Sequence, residues 1–411
     1  MRRMLSVLLS FAVLGVAQTL VAAVQNVEIT AANAYAYSAD NPLVCDSGSQ
    51  ITVKHSYRAD GRTMKDALID FIQVTPAAAG DPDPWVSVRL IEGGLTNDVD
   101  FSAQPYLWLG SVSHGNSYSA GQYDILVGVY EPYGDVYRFG YDGYTNYGEL
   151  GILVTNLVDN PVTGAPRSIV MRGKGTTCLG FVDGSVRTFT GSVTVEDGAY
   201  MTMYNFNSFA TTPRVIVRNG ANFIVKSNQS TAPATMDVEI DGEVVFYLSG
   251  GGTLPRLTLN GSVSGNGTII LKDQGGITFA GTNNTFSGEV RIGYQSNGAL
   301  PIRVQVGNGP HFSWGNAEFT GFNLPRHEFV LNTHSNVTFS CAIPSNGKVY
   351  KMGFGTVTLT QPIDRSAAVA ANLPAFVVDG GALVRGAPET TPMEGVMSLA
   401  SGTAFDLGGI A

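Results

Sequence analysis

From about residue 181 onward, apolar and polar positions alternate in short runs, each closed by glycine, asparagine or aspartate. Val193 and Val195 flank Thr194 ahead of Asp197-Gly198, and Val215 and Val217 flank Ile216 ahead of Asn219-Gly220. Leu257 and Leu259 precede Asn260-Gly261, and Ile277 and Phe279 precede Gly281. Val357 and Leu359 alternate with Thr356, Thr358 and Thr360. A period of two puts each apolar set on one face of a strand. A strand this short cannot bury that face alone, whereas stacking successive copies in register makes one continuous core. The pattern therefore predicts an all-β fold with a parallel β-helix over 181–411, at roughly 20 to 25 residues per coil. A β-sandwich competes with this, because Asn219-Gly220, Asn260-Gly261 and Asp241-Gly242 are also hairpin dipeptides.

Residues 24–180 are β-rich but irregular. Gln50 to Tyr57, Trp85 to Ile91, Tyr106 to Val112, Tyr123 to Tyr130 and Gly148 to Val154 read as strands, being rich in Val, Ile, Tyr and Thr between turn residues. Met64 to Ile72 has helical spacing. The turn-rich stretch from Asp159 to Pro166 marks a boundary, so this region is expected to be a separate module, either a sandwich or a cap on the solenoid.

The first 23 residues read as a secretory signal. Arg2 and Arg3 precede an apolar run from Leu5 to Val16, and Val21-Ala22-Ala23 offers a cleavage site after Ala23. Gly15-Val16-Ala17 is a second site, and an uncleaved anchor is the alternative. The expected location is secreted or cell-surface. Charged residues are only 14% of the chain and glycine numbers 50, which suits tight turns better than surface helices. The net charge of -9 becomes -11 without Arg2 and Arg3, and no basic cluster exists to bind nucleic acid or an anionic membrane. Cys45, Cys178 and Cys341 are too few and too far apart for a disulfide framework or a metal motif. They are expected as buried small residues, with one long-range disulfide as the alternative.

The segment Gly265 to Ile292 has a lysine before a glycine turn, an alternating strand, and an Asn-Thr-Phe-Ser-Gly turn. Lys272, Gly275, Gly276, Ile277, Phe279, Gly281, Asn284, Thr285, Phe286 and Gly288 carry this pattern. It resembles the autotransporter-associated β-strand repeat of bacterial passenger domains. A second copy runs from Lys351 to Thr360 and on through Val378 to Leu383, and a weaker third covers Val396 to Gly409. The resemblance implies an exported passenger-type β-helix acting as a structural or adhesive stalk. Autotransporters of that kind end in a membrane barrel, whereas these residues stop at Gly408-Gly409-Ile410-Ala411 within a coil. The expectation is a piece of a longer protein, or coils used free or otherwise anchored.

Two stretches carry candidate chemistry. Asp237, Glu239 and Asp241 alternate, so one strand face would present three carboxylates, as polysaccharide lyases and hydrolases on β-helices do. A solvated strand face is the bland alternative. Between Tyr123 and Tyr147, aromatic residues interleave with aspartates; Tyr137, Tyr141, Asp142 and Tyr144 are the candidate sugar contacts, rings for C–H faces and a carboxylate for hydroxyls. Asp81-Pro82-Asp83 is a turn lacking further calcium ligands, and the five histidines have no metal-ligand spacing. No nucleophile elbow or phosphate-binding glycine motif occurs. No catalytic residue, metal or cofactor is therefore expected, and the expected partners are extracellular glycans or matrix.

Overall fold

The computed structural model describes residues 25–57, 60–76, 83–90, 98–110, 125–126, 129–140, 153–154, 156–173, 176–179, 186–196, 198–203, 212–227, 234–248, 256–293, 301–386 and 397–406, a few of them by backbone alone. The signal segment lies outside them. The chain is a parallel β-solenoid from residue 26 to residue 406. A ten-stranded sheet runs from Asn26–Ile29 to Val263–Ser264, and a seven-stranded sheet from Thr176–Leu179 to Glu318–Thr320. A second seven-stranded sheet runs from Arg256–Leu259 to Met397–Leu399, and a four-stranded one from Val337–Phe339 to Ala404–Asp406. Amides of Thr285 and Ser287 bond the carbonyls of Val263 and Gly265, both at 2.9 Å, extending the ten-stranded face by one more coil.

The N-terminal region is not a sandwich, and the solenoid is not confined to the C-terminal half. One apolar ladder stacks Val27, Ile51, Val88, Leu109, Phe139, Met171, Val195, Val217 and Ile240 rung upon rung. The turn-rich stretch from 159 to 166 only joins two rungs of this sheet, since Val136–Gly140 pairs directly with Ser168–Arg172. Of the strands expected before residue 160, Gln50–Val53, Val86–Leu90 and Leu107–Leu109 are present, while most of Tyr123 to Tyr130 and Gly148 to Val154 lies outside the described residues apart from Ile125–Leu126 and Leu153–Val154. The helix expected from Met64 to Ile72 is an α-helical turn, Met64–Ala67, followed by a 3-10 turn, Ile69–Phe71; the first is capped by the Thr63 hydroxyl accepting from the Asp66 amide at 3.2 Å. Leu68, with φ −141°, breaks it, because Leu68 and Ile69 must both enter the core.

The three hairpin-like dipeptides are corners. Asn219-Gly220 and Asp241-Gly242 each lead from the ten-stranded sheet into the next sheet of the same coil, and Asn260-Gly261 leads back to it. Strands joined this way never pair with each other, which separates a solenoid corner from a hairpin.

The passenger-like segment shows why its residues are spaced as they are. Ile277, Phe279 and Phe286 are buried, and Asn284 stitches three successive coils. Its Oδ1 accepts from the Val263 amide at 2.8 Å, while its Nδ2 donates to the Gly281 and Ser313 carbonyls at 3.1 Å each. A Cβ on Gly288 would lie 1.9 Å from the Gly267 carbonyl oxygen, so only glycine allows the turns to stack this closely. The second copy is out of phase with the first. Gly275–Phe279 belongs to the later seven-stranded sheet, whereas Thr356–Leu359 belongs to the four-stranded one. Lys272 is half-buried at the coil surface, whereas Lys351 is enclosed. Asn284→Ala is expected to cost about 2–3 kcal/mol, since it leaves one buried donor and two acceptors unpaired; chemical denaturation reads this as a lower midpoint at unchanged slope.

Candidate functional site

Parallel, in-register stacking sets the same position of successive coils about 4.8 Å apart, so outward charges must find opposite partners on neighbouring rungs. The proposed carboxylate face does this. Glu239 projects outward from Asp237–Ile240 and is bonded by Arg214 and, at 3.1 Å, by Arg218 Nη1. Both arginines belong to the preceding coil, which is why no basic partner is visible beside Glu239 in the sequence. Asp237 accepts the Ser262 amide of the following coil at 2.7 Å through Oδ1, and Asp241 sits in the corner turn. Earlier in the stack Arg172 bonds Glu196 at 2.7 Å and also pairs with Asp83. The face is a ladder of alternating charge in which both Glu239 oxygens are engaged. Exposed pairs of this kind contribute at most about 1 kcal/mol each; their main effect is to relieve like-charge repulsion.

Tyr137 does not present its ring to solvent. It points into the coil with its side chain fully buried, packed against Tyr130 with ring centroids 5.4 Å apart. Its hydroxyl donates to the Val158 carbonyl at 2.9 Å and accepts from Arg167 Nη1 at 3.1 Å. Arg167 is itself buried and pairs with Glu131 at the edge of the core. Burial pushes the Tyr130 phenol well above its ordinary pKa. Tyr141, Asp142 and Tyr144 lie outside the described residues.

Three polar groupings escaped the sequence reading, because each is completed by residues of a neighbouring coil. At the first turns, Asp60 pairs with His55 Nε2, Tyr35 Oη lies 3.3 Å from the same nitrogen, and Arg62 sits 4.6 Å above the Tyr35 ring. The grouping ties His55, Asp60 and Arg62 to Tyr35 of the preceding coil. In the last coils two cations are enclosed without a carboxylate. Lys351 Nζ donates to the Met352, Gly353 and Gly380 carbonyls at 2.9 Å each, and burial draws its pKa down to about 8. Arg365 donates to the Ala375, Pro344, Asn346 and Gly347 carbonyls, and burial lowers its pKa to about 10. His327 is buried, and its ring nitrogens make no well-formed hydrogen bond beyond a weak contact with the Gly321 carbonyl.

Among the described residues no group of His, Cys, Asp and Glu is arranged to hold a metal ion. Cys45 and Cys341 are buried free thiols whose pKa burial raises to about 11, and the Cys178 side chain lies outside the description. No described helix is long and apolar enough to cross a membrane. No family model, curated protein or solved structure matches the chain. The fold is a parallel β-solenoid, with no family identified.

Proposed function

We propose that the protein is an exported scaffold, secreted or held at the cell surface, whose solenoid is a stiff stalk and adhesive surface facing extracellular glycans or matrix. The observation that carries this reading is a single apolar interior running from Ile29 to Leu383, enclosed by outward charges engaged from rung to rung. Such a stack resists bending, because each coil is bonded along its length to both neighbours. The Arg2-Arg3 leader with its apolar run supports export. Expression of the full chain with a C-terminal tag, followed by N-terminal sequencing and surface proteolysis of intact cells, tests it. The expected mature start is Val24 on material outside the cytoplasm. Cytoplasmic protein that still begins at Met1 would overturn export, and release of sugar products from a polysaccharide panel would overturn the scaffold role.

A further inference from the structure

The first rung of the solenoid has a free side. Asn26–Ile29 pairs in parallel with Gln50–Val53 and, among the described residues, with no other strand. The Gln25 and Ile29 carbonyls accept from the Gln50 and Lys54 amides at 2.9 and 2.7 Å, so residues of this parity turn their backbone groups toward the second coil. Successive residues of a strand aim these groups to opposite sides, and those of Asn26, Glu28 and Thr30 therefore face away from it. An edge of this kind is a template for a strand of another chain.

Asn33 makes the bonds that such a strand would make. A parallel strand laid beneath Asn26–Ile29 would set one residue opposite Ile29, its N–H on the Glu28 carbonyl and its C=O on the Thr30 amide. The Asn33 side-chain amide does both: Nδ2 donates to the Glu28 carbonyl at 2.9 Å, and Oδ1 accepts from the Thr30 amide at 2.7 Å. The 30–41 loop that carries it is anchored to the stack. The Tyr57 hydroxyl of the second coil donates to the Ala34 carbonyl at 3.1 Å, Ala34 is buried, and Tyr37 packs against the core. Amides of Asn33 and Ala34 return to the Thr30 carbonyl at 3.1 and 2.9 Å, and Asn41 Nδ2 donates to the Ala36 carbonyl at 2.8 Å. Ile29, Leu43 and Cys45 of this first rung are all buried.

We propose that residues 30–41 are a built-in cap on the N-terminal edge, with Asn33 as its plug, and that they keep this edge from adding a strand of a second copy of the chain. A side-chain amide carries the same kinds of donor and acceptor as one residue of a strand, so it satisfies the edge without creating another. A whole strand would satisfy the same groups but leave its own far side free, passing the template on to the next copy. The cap acts at the end of the stack, whatever its outer faces bind.

The test is sedimentation velocity of the full chain over a concentration series, with hydrogen exchange on the same samples. Asn33→Ala removes both bonds and should raise the self-association constant about tenfold or more over wild type, since each freed group can then bond a strand. Asn33→Asp keeps the bond from the Thr30 amide, lacks the donor, and should shift association in the same direction. Asn26→Pro added to Asn33→Ala should return it to the wild-type level, because proline deletes an N–H on the free side and spares the pairing with Gln50–Val53. Protection of Gln50–Val53 should persist throughout; if Asn33→Ala alone loses it, Asn33→Asp decides. Wild-type sedimentation of the protected variants would overturn the cap, and so would association that Asn26→Pro fails to reverse. Loss of protection in both Asn33 variants would assign the loop to folding and overturn the edge-blocking role.

Discussion

Arg365→Met is expected to lower the unfolding free energy by about 3–5 kcal/mol, because four buried carbonyls lose their charged donor at once. The guanidinium is 2% exposed and donates to four carbonyls, from Pro344, Asn346, Gly347 and Ala375. These lie in segments that are otherwise loops, so Arg365 supplies the hydrogen bonds that a strand partner would supply elsewhere. Methionine fills much of the volume but leaves the four acceptors in an apolar setting, each then costing about 1–3 kcal/mol before relaxation. Arg365→Lys should recover only part of the loss, because an ammonium cannot span acceptors spread across a planar fork. In a stack that unfolds by nearest-neighbour steps, the damage should be local. Hydrogen exchange is the measurement: protection should fall around 344–376 and hold in the first coils. A variant with wild-type exchange in that segment would refute the role assigned to the arginine.

A second large effect should appear on acidification. Burial and the nearby Arg326 charge draw the His327 pKa down from 6.5 to about 4, against a weak opposing pull from the Gly321 carbonyl. The folded protein thus keeps the ring neutral while the unfolded chain protonates it. The resulting stability is fully present above pH 6.5 and is lost as pH falls from 6.5 toward 4; at 1.36 kcal/mol per unit this is about 3 kcal/mol. Paired carboxylates contribute over a different window. Asp159 and Asp364 are held below their ordinary pKa by hydrogen bonds to Thr190, Ser366 and the Arg167 amide, so their share is lost only below about pH 4. Urea titrations at a series of pH values should show a decline between pH 6.5 and 4 in wild type that is absent in His327→Leu. The leucine variant should also be more stable at neutral pH, since it removes a buried imidazole whose nitrogens are poorly satisfied. Equal slopes in the two proteins would show that the histidine is not the titrating group.

The candidate chemistry was only partly legible in the sequence. Alternation correctly placed Asp237 and Glu239 on the outer face of one strand, but their partners Arg214, Arg218 and Ser262 come from other coils. Periodicity along one strand carries no information about its neighbours' register. Tyr137 illustrates the opposite difficulty: a tyrosine between Val136 and Arg138 reads equally well as a surface ring or as a core ring with a bonded hydroxyl. Lys351 could not have been found at all. A lysine in Lys348–Met352 reads as solvated, and only the closure of the Gly353 and Gly380 turns around it makes a buried carbonyl cage.

By itself the sequence determined the all-β character, the period-two strands and the positions of the turns, because these depend on residues next to each other in the chain. It also contained the stacking devices, such as Asn284 and Gly288, in recognisable form. Tertiary structure decided whether each Asn-Gly or Asp-Gly turn was a hairpin or a corner, since the same dipeptides serve both and only the strand lying alongside tells them apart. Strand pairing also extended the solenoid back from residue 181 to residue 26. It also paired the outer charges and enclosed Lys351, Arg365 and His327. Each of these is a contact between coils some 20 to 30 residues apart, set by the register in which one coil lies on the next.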